Sequence, residues 1–394
     1  MSGTGGAFAP PAPGVTVLTT APAGGWTQVT DPHAIYYNGV VYFGYIRGDN
    51  GDVVVRTYTH STGVVSAETV LHAALEVDLH DAPSLFVRTD GRIMAFYSAH
   101  NGVAMYLRIS TNAEDISAFG AEVNLDSQLG GTAYTYPTVF QSLGYPGAPI
   151  VLIYRDFVSP SGKMCLSTST DDGVTWAAQT VIFQNIGKVP YFVVESDGVS
   201  RFDVAVSDGH PITDAPTKVY HFYNQSGSFL KSDGTSAGSL PLTPASVTEV
   251  YDGAAGSGWP SSIADGPVFT YEVFLGGASH SYRYAYWTGS AWSLNPIVSA
   301  GGELEGAAPH VSIDRSLPAS VYTSVKVGSF WETQRRATPD NGATGTRMEN
   351  VTTGSAVDNI LPVNVRYHTS YPRMLFLAGT YTTYLNNSLA VKAA

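Results

Sequence analysis

Histidine, tyrosine and arginine are the residue types through which this chain could do chemistry, because its sulfur and metal-ligand inventory is thin. Cys165 stands alone, which excludes an internal disulfide framework and a multi-cysteine zinc site. His33, His221, His280, His310 and His368 are scattered without a metal-ligand spacing, so no metal and no cofactor is expected. A histidine titrates near neutrality and, like a tyrosine, can move protons, while a guanidinium can pair bidentately with a carboxylate. These types recur in Asp78-Leu79-His80-Asp81-Ala82-Pro83-Ser84, Phe96-Tyr97-Ser98-Ala99-His100-Asn101-Gly102, Tyr134-Thr135-Tyr136-Pro137 and Ile153-Tyr154-Arg155.

The elements that must position them are strands. Only 13% of the chain is charged, while 41 Gly, 24 Tyr and 16 Phe predict many short aromatic strands joined by tight turns. No long amphipathic helix and no apolar run long enough to span a membrane is visible. Strand pairs such as AIYYNGVVYFGYIR, PSLFVRTDGRIMAFYSAH and YRYAYWTGSAW recur roughly every 50 residues, the order of one four-stranded propeller blade. The length of 394 residues accommodates seven such units, so the fold expected is all-β, a seven-bladed propeller spanning 26–394. Residues 1–25, rich in Gly, Ala and Pro, read as a flexible arm or one ordered by a partner. An N-terminal strand is expected to close the ring by pairing with the last blade.

Ser169-Thr170-Asp171-Asp172-Gly173-Val174-Thr175-Trp176 matches the Asp-box pattern S-x-D-x-G-x-x-W. Its physics is local: Asp and Ser bond turn amides, Gly supplies the unusual backbone angle, and Trp packs into the blade. It marks a fold and is not an active site. His210, in Asp208-Gly209-His210-Pro211, reads first as a turn residue and second as a channel-lining one. Tyr145, Tyr191 and Trp259 could stack on sugars if exposed, although such aromatics are more often core.

The order and spacing of the histidine, tyrosine and arginine segments, with Ser207-Asp208-Gly209-His210-Pro211, Val219-Tyr220-His221-Phe222-Tyr223, Tyr282-Arg283-Tyr284-Ala285 and Ser312-Ile313-Asp314 followed by Val321-Tyr322, resemble the BNR-4 repeat family over roughly residues 30–385. That family includes seven-bladed ulvan lyases and phage-encoded proteins. The resemblance implies a catalytic set of two histidines, a tyrosine and an arginine, which falls here on His80, His100, Tyr136 and Arg155, with His210, Tyr134 and Asn101 as substrate-binding residues. It implies β-elimination on a uronate-containing chain: removal of the C5 proton, stabilisation of the resulting anion, and protonation of the leaving oxygen at C4. Arg155 would neutralise the carboxylate, Tyr136 and His100 would transfer protons, and His80 would orient or serve as a second acid/base group. Each residue alone has a plainer use. His80 and His100 can cap turns, Tyr136 can fill a blade interface, and Arg155 can satisfy carbonyls. The gap from Tyr136 to Arg155 exceeds the family spacing, through a larger loop at 142–148.

A formal charge of -12 without a Lys/Arg cluster argues against nucleic acid or an anionic membrane surface as partner. The partner expected is an acidic polysaccharide or a host-envelope glycan. The start, MSGTGGAFAPPAPG, does not read as a secretory signal. A phage tail or an extracellular location is therefore expected, with the arm docking on other tail proteins and the strand Gly379–Tyr384 resembling phage-encoded relatives. A non-catalytic envelope-binding tail protein is the alternative. A sialidase-type hydrolase is disfavoured, because the chain has no Arg-Ile-Pro motif and no evident arginine cluster.

Overall fold

The computed structural model of the chain describes residues 14–147, 149–275, 280–304, 310–338, 340–343 and 347–394. Seven antiparallel sheets of four or five strands follow one another along the sequence. Their innermost strands are Ala34–Tyr37, Ser84–Val87, Tyr134–Gln141, Phe192–Ser196, Ser257–Ala264, Val311–Ile313 and Asp358–Asn364, which open blades one to seven in that order. The expected seven-bladed propeller is the fold observed.

Local chemistry explains the hairpins. Asn38 and Gly39 both take positive φ, 47° and 84°, the conformation that a two-residue turn needs to match the twist of Ala34–Tyr37 and Val40–Ile46. In blade three, Ser169–Trp176 joins the strands Ser161–Ser169 and Thr180–Gln184. There Asp171 Oδ1 accepts from Thr175 N at 2.8 Å, Ser169 Oγ accepts from Gly173 N at 2.8 Å, and Trp176 packs edge-on against Phe96. Apolar faces of neighbouring blades bury one another, for example Phe140, Ile153 and Met164 of blade three against Phe202, Val204 and Phe222 of blade four.

The ring is closed by the N-terminal segment. Thr16 and Val17 pair with Ala393 and Lys392, so blade seven borrows its outer strand from the start of the chain. Leu18 and Ala23 are buried as well. The ordered unit thus begins within the segment read as an arm, because two backbone pairs and two apolar side chains suffice to anchor it. Residues 1–13, the rest of that arm, lie outside the described residues.

The following residues run down the centre of the ring. Trp26 Nε1 donates to Leu361 O at 3.1 Å, Asp31 bridges Thr138 in parallel, and Val29 packs with Tyr136, Tyr191, Trp259 and Phe274. At the far ends of the inner strands, Arg315 lies 2.6 Å from Asp31, and Arg366 lies 2.5 Å from Asp31 and 3.3 Å from Glu195. Burial pulls the Asp31 carboxyl up, but the two guanidiniums outweigh it and bring its pKa down to about 2.

Candidate active site

In an antiparallel blade whose strands run inner to outer in sequence order, the segment entering the inner strand and the turn between the second and third strands lie at the same end. Blade geometry therefore gathers residues distant in sequence. Asp78 caps the short 3-10 turn Leu79–Asp81 that leads into blade two, accepting from His80 N at 2.9 Å. His100 and Asn101 follow the second strand of that blade, Ile93–Tyr97, and Asn101 takes φ 57°, which asparagine tolerates better than most residues.

Tyr136 needs a distortion. Side chains two apart on a regular strand share a face, which would put Tyr134 and Tyr136 together. Between Thr135 and Thr138 the register against Ile150–Val158 shifts, and Tyr136 adopts φ 60°. This bulge separates the two tyrosines. Tyr136 joins the central cluster, whereas Tyr134 sits in the core between blades two and three with its hydroxyl donating to Asp126 at 2.9 Å. Tyr134 is therefore corrected from a substrate-binding residue to a core one. Arg155 stands opposite Thr135 on the neighbouring strand.

His80, His100, Tyr136 and Arg155 meet. The two imidazoles stack with centroids 4.0 Å apart and planes 18° apart. A single carboxylate holds both: Asp78 Oδ1 lies 2.5 Å from His80 Nδ1 and Asp78 Oδ2 lies 3.1 Å from His100 Nδ1. The Tyr136 ring is 5.6 Å from that of His80. The guanidinium carbon of Arg155 lies 4.5 Å from the Tyr136 centroid and 5.1 Å from that of Tyr191. Its Nη2 donates to Asn101 Oδ1 at 2.9 Å and lies 3.5 Å from His100 Nε2. Asn101 thus spends its carbonyl on positioning Arg155.

The electrostatics separate the roles. Burial holds the His80 pKa down at about 4 despite Asp78, so the ring is neutral at pH 7. Burial works to raise the Asp78 carboxyl, but hydrogen bonds from His100 and His80 bring it well below the usual range. Burial lifts the Tyr136 hydroxyl well above its ordinary value, keeping it protonated. Arg155 is only 2% exposed, pairs with no carboxylate among the described residues, and leaves Nε and Nη1 without hydrogen-bond partners. Most buried charges are paired. Behind the histidines, Asp81 is fully buried, and burial with the nearby Glu76 and Asp78 charges pushes its pKa to about 10.

Asp78, His80 and His100 bring one donor atom each within 4.8 Å, a spacing that a cation could also use. Both Nδ1 atoms already face the Asp78 carboxylate, so a cation ligated between these three groups would break the hydrogen bonds that hold the rings, and an acid-base set fits the arrangement better.

His210 is both turn and wall. Its Nδ1 accepts from Ile212 N at 3.1 Å, while its ring packs against Tyr191 and Trp259, with centroids 5.5 and 5.6 Å away. Tyr191 and Trp259 are not exposed platforms, at 8% and 5% exposure; they pack with Tyr136 under the cluster. Tyr145 lies elsewhere, half-buried against Phe202. Sequence reasoning missed Asp78, quoted within its motif but given no role, and Tyr384. Tyr384 comes from the hairpin between Met374–Thr383 and Asn386–Ala393 and meets the His80 ring edge-on at 4.6 Å. A carboxylate two residues before a histidine, in Asp78-Leu79-His80, was the available signal for the first. Nothing local signals the second, because ring closure brings blade seven beside blade one.

A model of the BNR repeat-containing family matches residues 40–299. No curated protein sequence matches the chain. Among solved structures, a PL25 ulvan lyase bound to -[GlcA(1-4)Rha3S]- is 14% identical over 96% of this chain and 94% of its own, with a TM-score of 0.74. The polysaccharide lyase Uly1 is 12% identical over 92% of this chain and 89% of its own, at 0.60. A prolyl endopeptidase structure, 11% identical over 95% of this chain and 47% of its own, reaches 0.51. Such likeness fixes the fold, which hosts unrelated chemistries, and leaves function to the site.

Proposed function

The chain belongs to the BNR repeat-containing family, and from that premise we propose that it is a polysaccharide lyase that cleaves a uronate-containing glycan by β-elimination. The observation that carries this reading is Arg155, a buried cation without a carboxylate partner among the described residues, set against two histidines and a protonated tyrosine. A uronate carboxylate would supply the missing anion. Its neutralisation by the guanidinium lowers the cost of negative charge developing at C5.

The position of His100 Nε2 against the Arg155 guanidinium supports giving the role of base to His80 in place of His100. His80 takes the C5 proton, the electron pair forms the C4=C5 double bond, and the C4–O bond breaks. Tyr136 protonates the departing oxygen, and solvent returns the proton from His80 to the phenolate. His210 and Tyr384 flank the site on either side and would contact neighbouring sugars. That the solved PL25 lyase holds a glucuronate-containing ligand is consistent with this substrate class.

The test is to incubate the protein with acidic polysaccharides, ulvan and envelope glycans among them, and follow the ultraviolet absorbance of the unsaturated uronate product. A rise abolished in Arg155→Ala supports the lyase. Glycan binding without product across the panel would instead make the propeller a recognition module, as on a phage tail.

A further inference from the structure

Two imidazoles on one carboxylate is an unusual use of an aspartate, and it has consequences for both rings. A neutral histidine carries one ring proton, and which nitrogen holds it follows from the partner of the other. We propose that Asp78 is a positioning residue that fixes both His80 and His100 as Nδ1–H tautomers, so that each Nε2 lone pair points away from the carboxylate, that of His100 toward Arg155, and only His80 is left to accept the substrate proton. This rests on the lyase reading and adds a residue to it.

The geometry carries the argument. Asp78 is nearly buried, and each of its oxygens meets a different Nδ1. Its Oδ1 also accepts His80 N, which leaves the carboxylate little freedom to rotate. The rings are stacked at 4.0 Å, so a proton gained by one raises the cost of a second on the other. The guanidinium of Arg155 lies 3.5 Å from His100 Nε2 and can donate to that lone pair, so His80 is left as the acceptor. When His80 gains the C5 proton at Nε2, Asp78 faces the resulting imidazolium through Nδ1 and stabilises it. Other charged or titratable groups surround the pair. Glu76 accepts from His100 N, Asp81 lies beneath, and Arg155, Tyr136 and Tyr384 face the rings.

An asparagine at this position has one acceptor and one donor group where the carboxylate has two acceptors. It can satisfy only one Nδ1–H, and the other ring must turn its lone pair inward and its N–H toward the cleft. Asp78→Asn should therefore lower kcat by about a hundredfold or more with KM changed less than about threefold, because Arg155 still holds the substrate carboxylate. Loss of the anion should also move the acid limb of kcat/KM to lower pH.

Nitrogen NMR of the wild-type imidazoles reads the tautomers without any substrate, and is decisive even where Asp78→Asn does not fold. Both rings protonated at Nδ1 and bare at Nε2 at neutral pH is the expected result. Either ring bare at Nδ1 overturns the proposal. So does an Asp78→Asn enzyme that keeps its kcat and pH profile, or a wild-type activity that a chelator removes and a divalent cation restores. If the tautomers are as expected but no glycan is cleaved, the lyase reading fails while the role of Asp78 in setting the two rings stands.

Discussion

Buried arginines occupy both ends of the central channel, and they are treated in opposite ways. At the far end, Arg315 and Arg366 share Asp31 and Glu195, so each guanidinium has carboxylates within about 3.3 Å. At the mouth, Arg155 is equally buried and has two tyrosine faces, an amide oxygen and a histidine, with no acid paired to it among the described residues. The first arrangement is complete in itself and ties blades four, six and seven to the segment threading the channel. Under the proposed function, an arriving carboxylate completes the second. A cation left unpaired in a buried site costs stability, and its persistence is understandable where a ligand supplies the countercharge.

The contrast can be broken by exchanging the outcomes. Arg155→Ala should cost turnover at least about a thousandfold, measured as product formation, while leaving the melting temperature unchanged or slightly raised. Arg366→Ala should do the reverse: about 3–5 kcal/mol of stability lost in denaturant titration, because Asp31 and Glu195 are left buried with one cation fewer, and little change in kcat for the fraction that folds. An Arg155 variant that unfolds as readily as the Arg366 one would erase the distinction between the two ends.

Acid titration sharpens it. His80 has a folded pKa of about 4 against 6.5 unfolded, so its neutral form favours folding above pH 6.5, and that contribution is lost as pH falls from 6.5 to about 4. His33, buried against Trp26, acts in the same window. Asp31, at about 2 against 3.8, contributes stability above pH 3.8 that is lost as pH falls through about 2. Thermal melts across pH should show two acid steps, the upper one reduced in His80→Gln and the lower one reduced in Asp31→Asn. The last expected change is Asp81→Asn. Asp81 with its pKa at about 10 stays protonated in the fold and ionises on unfolding, so its replacement should raise stability at neutral pH, a gain that fades toward pH 4.

Blade repetition was legible in the sequence because alternation and turn residues are local: the Asn38-Gly39 hairpin and the turn ending at Trp176 can be read from a few residues each. The meeting of His80, His100, Tyr136 and Arg155 followed from segment order, since consecutive blades are neighbours. What local pattern could not convey was the bulge that sends Tyr136 one way and Tyr134 the other, because period-two reasoning assigns both to one face. That an N-terminal strand closes the ring on the last blade was expected and is observed, but its place at Thr16 and Val17 was hidden, as a two-residue strand in a Gly/Pro-rich stretch has no pattern of its own. Tyr384 reaches His80 through closure of a ring across some three hundred residues, a contact that no window on the sequence contains.

The central claim is that Arg155 awaits a uronate carboxylate, and calorimetric titration with a matched pair of oligosaccharides tests it most directly. One carries glucuronate and the other is the same chain with its carboxyl reduced to the alcohol. The account predicts that the acid form binds at least about tenfold more tightly than the reduced form, and that Arg155→Ala erases the difference. Equal affinity of the wild-type protein for both would contradict it.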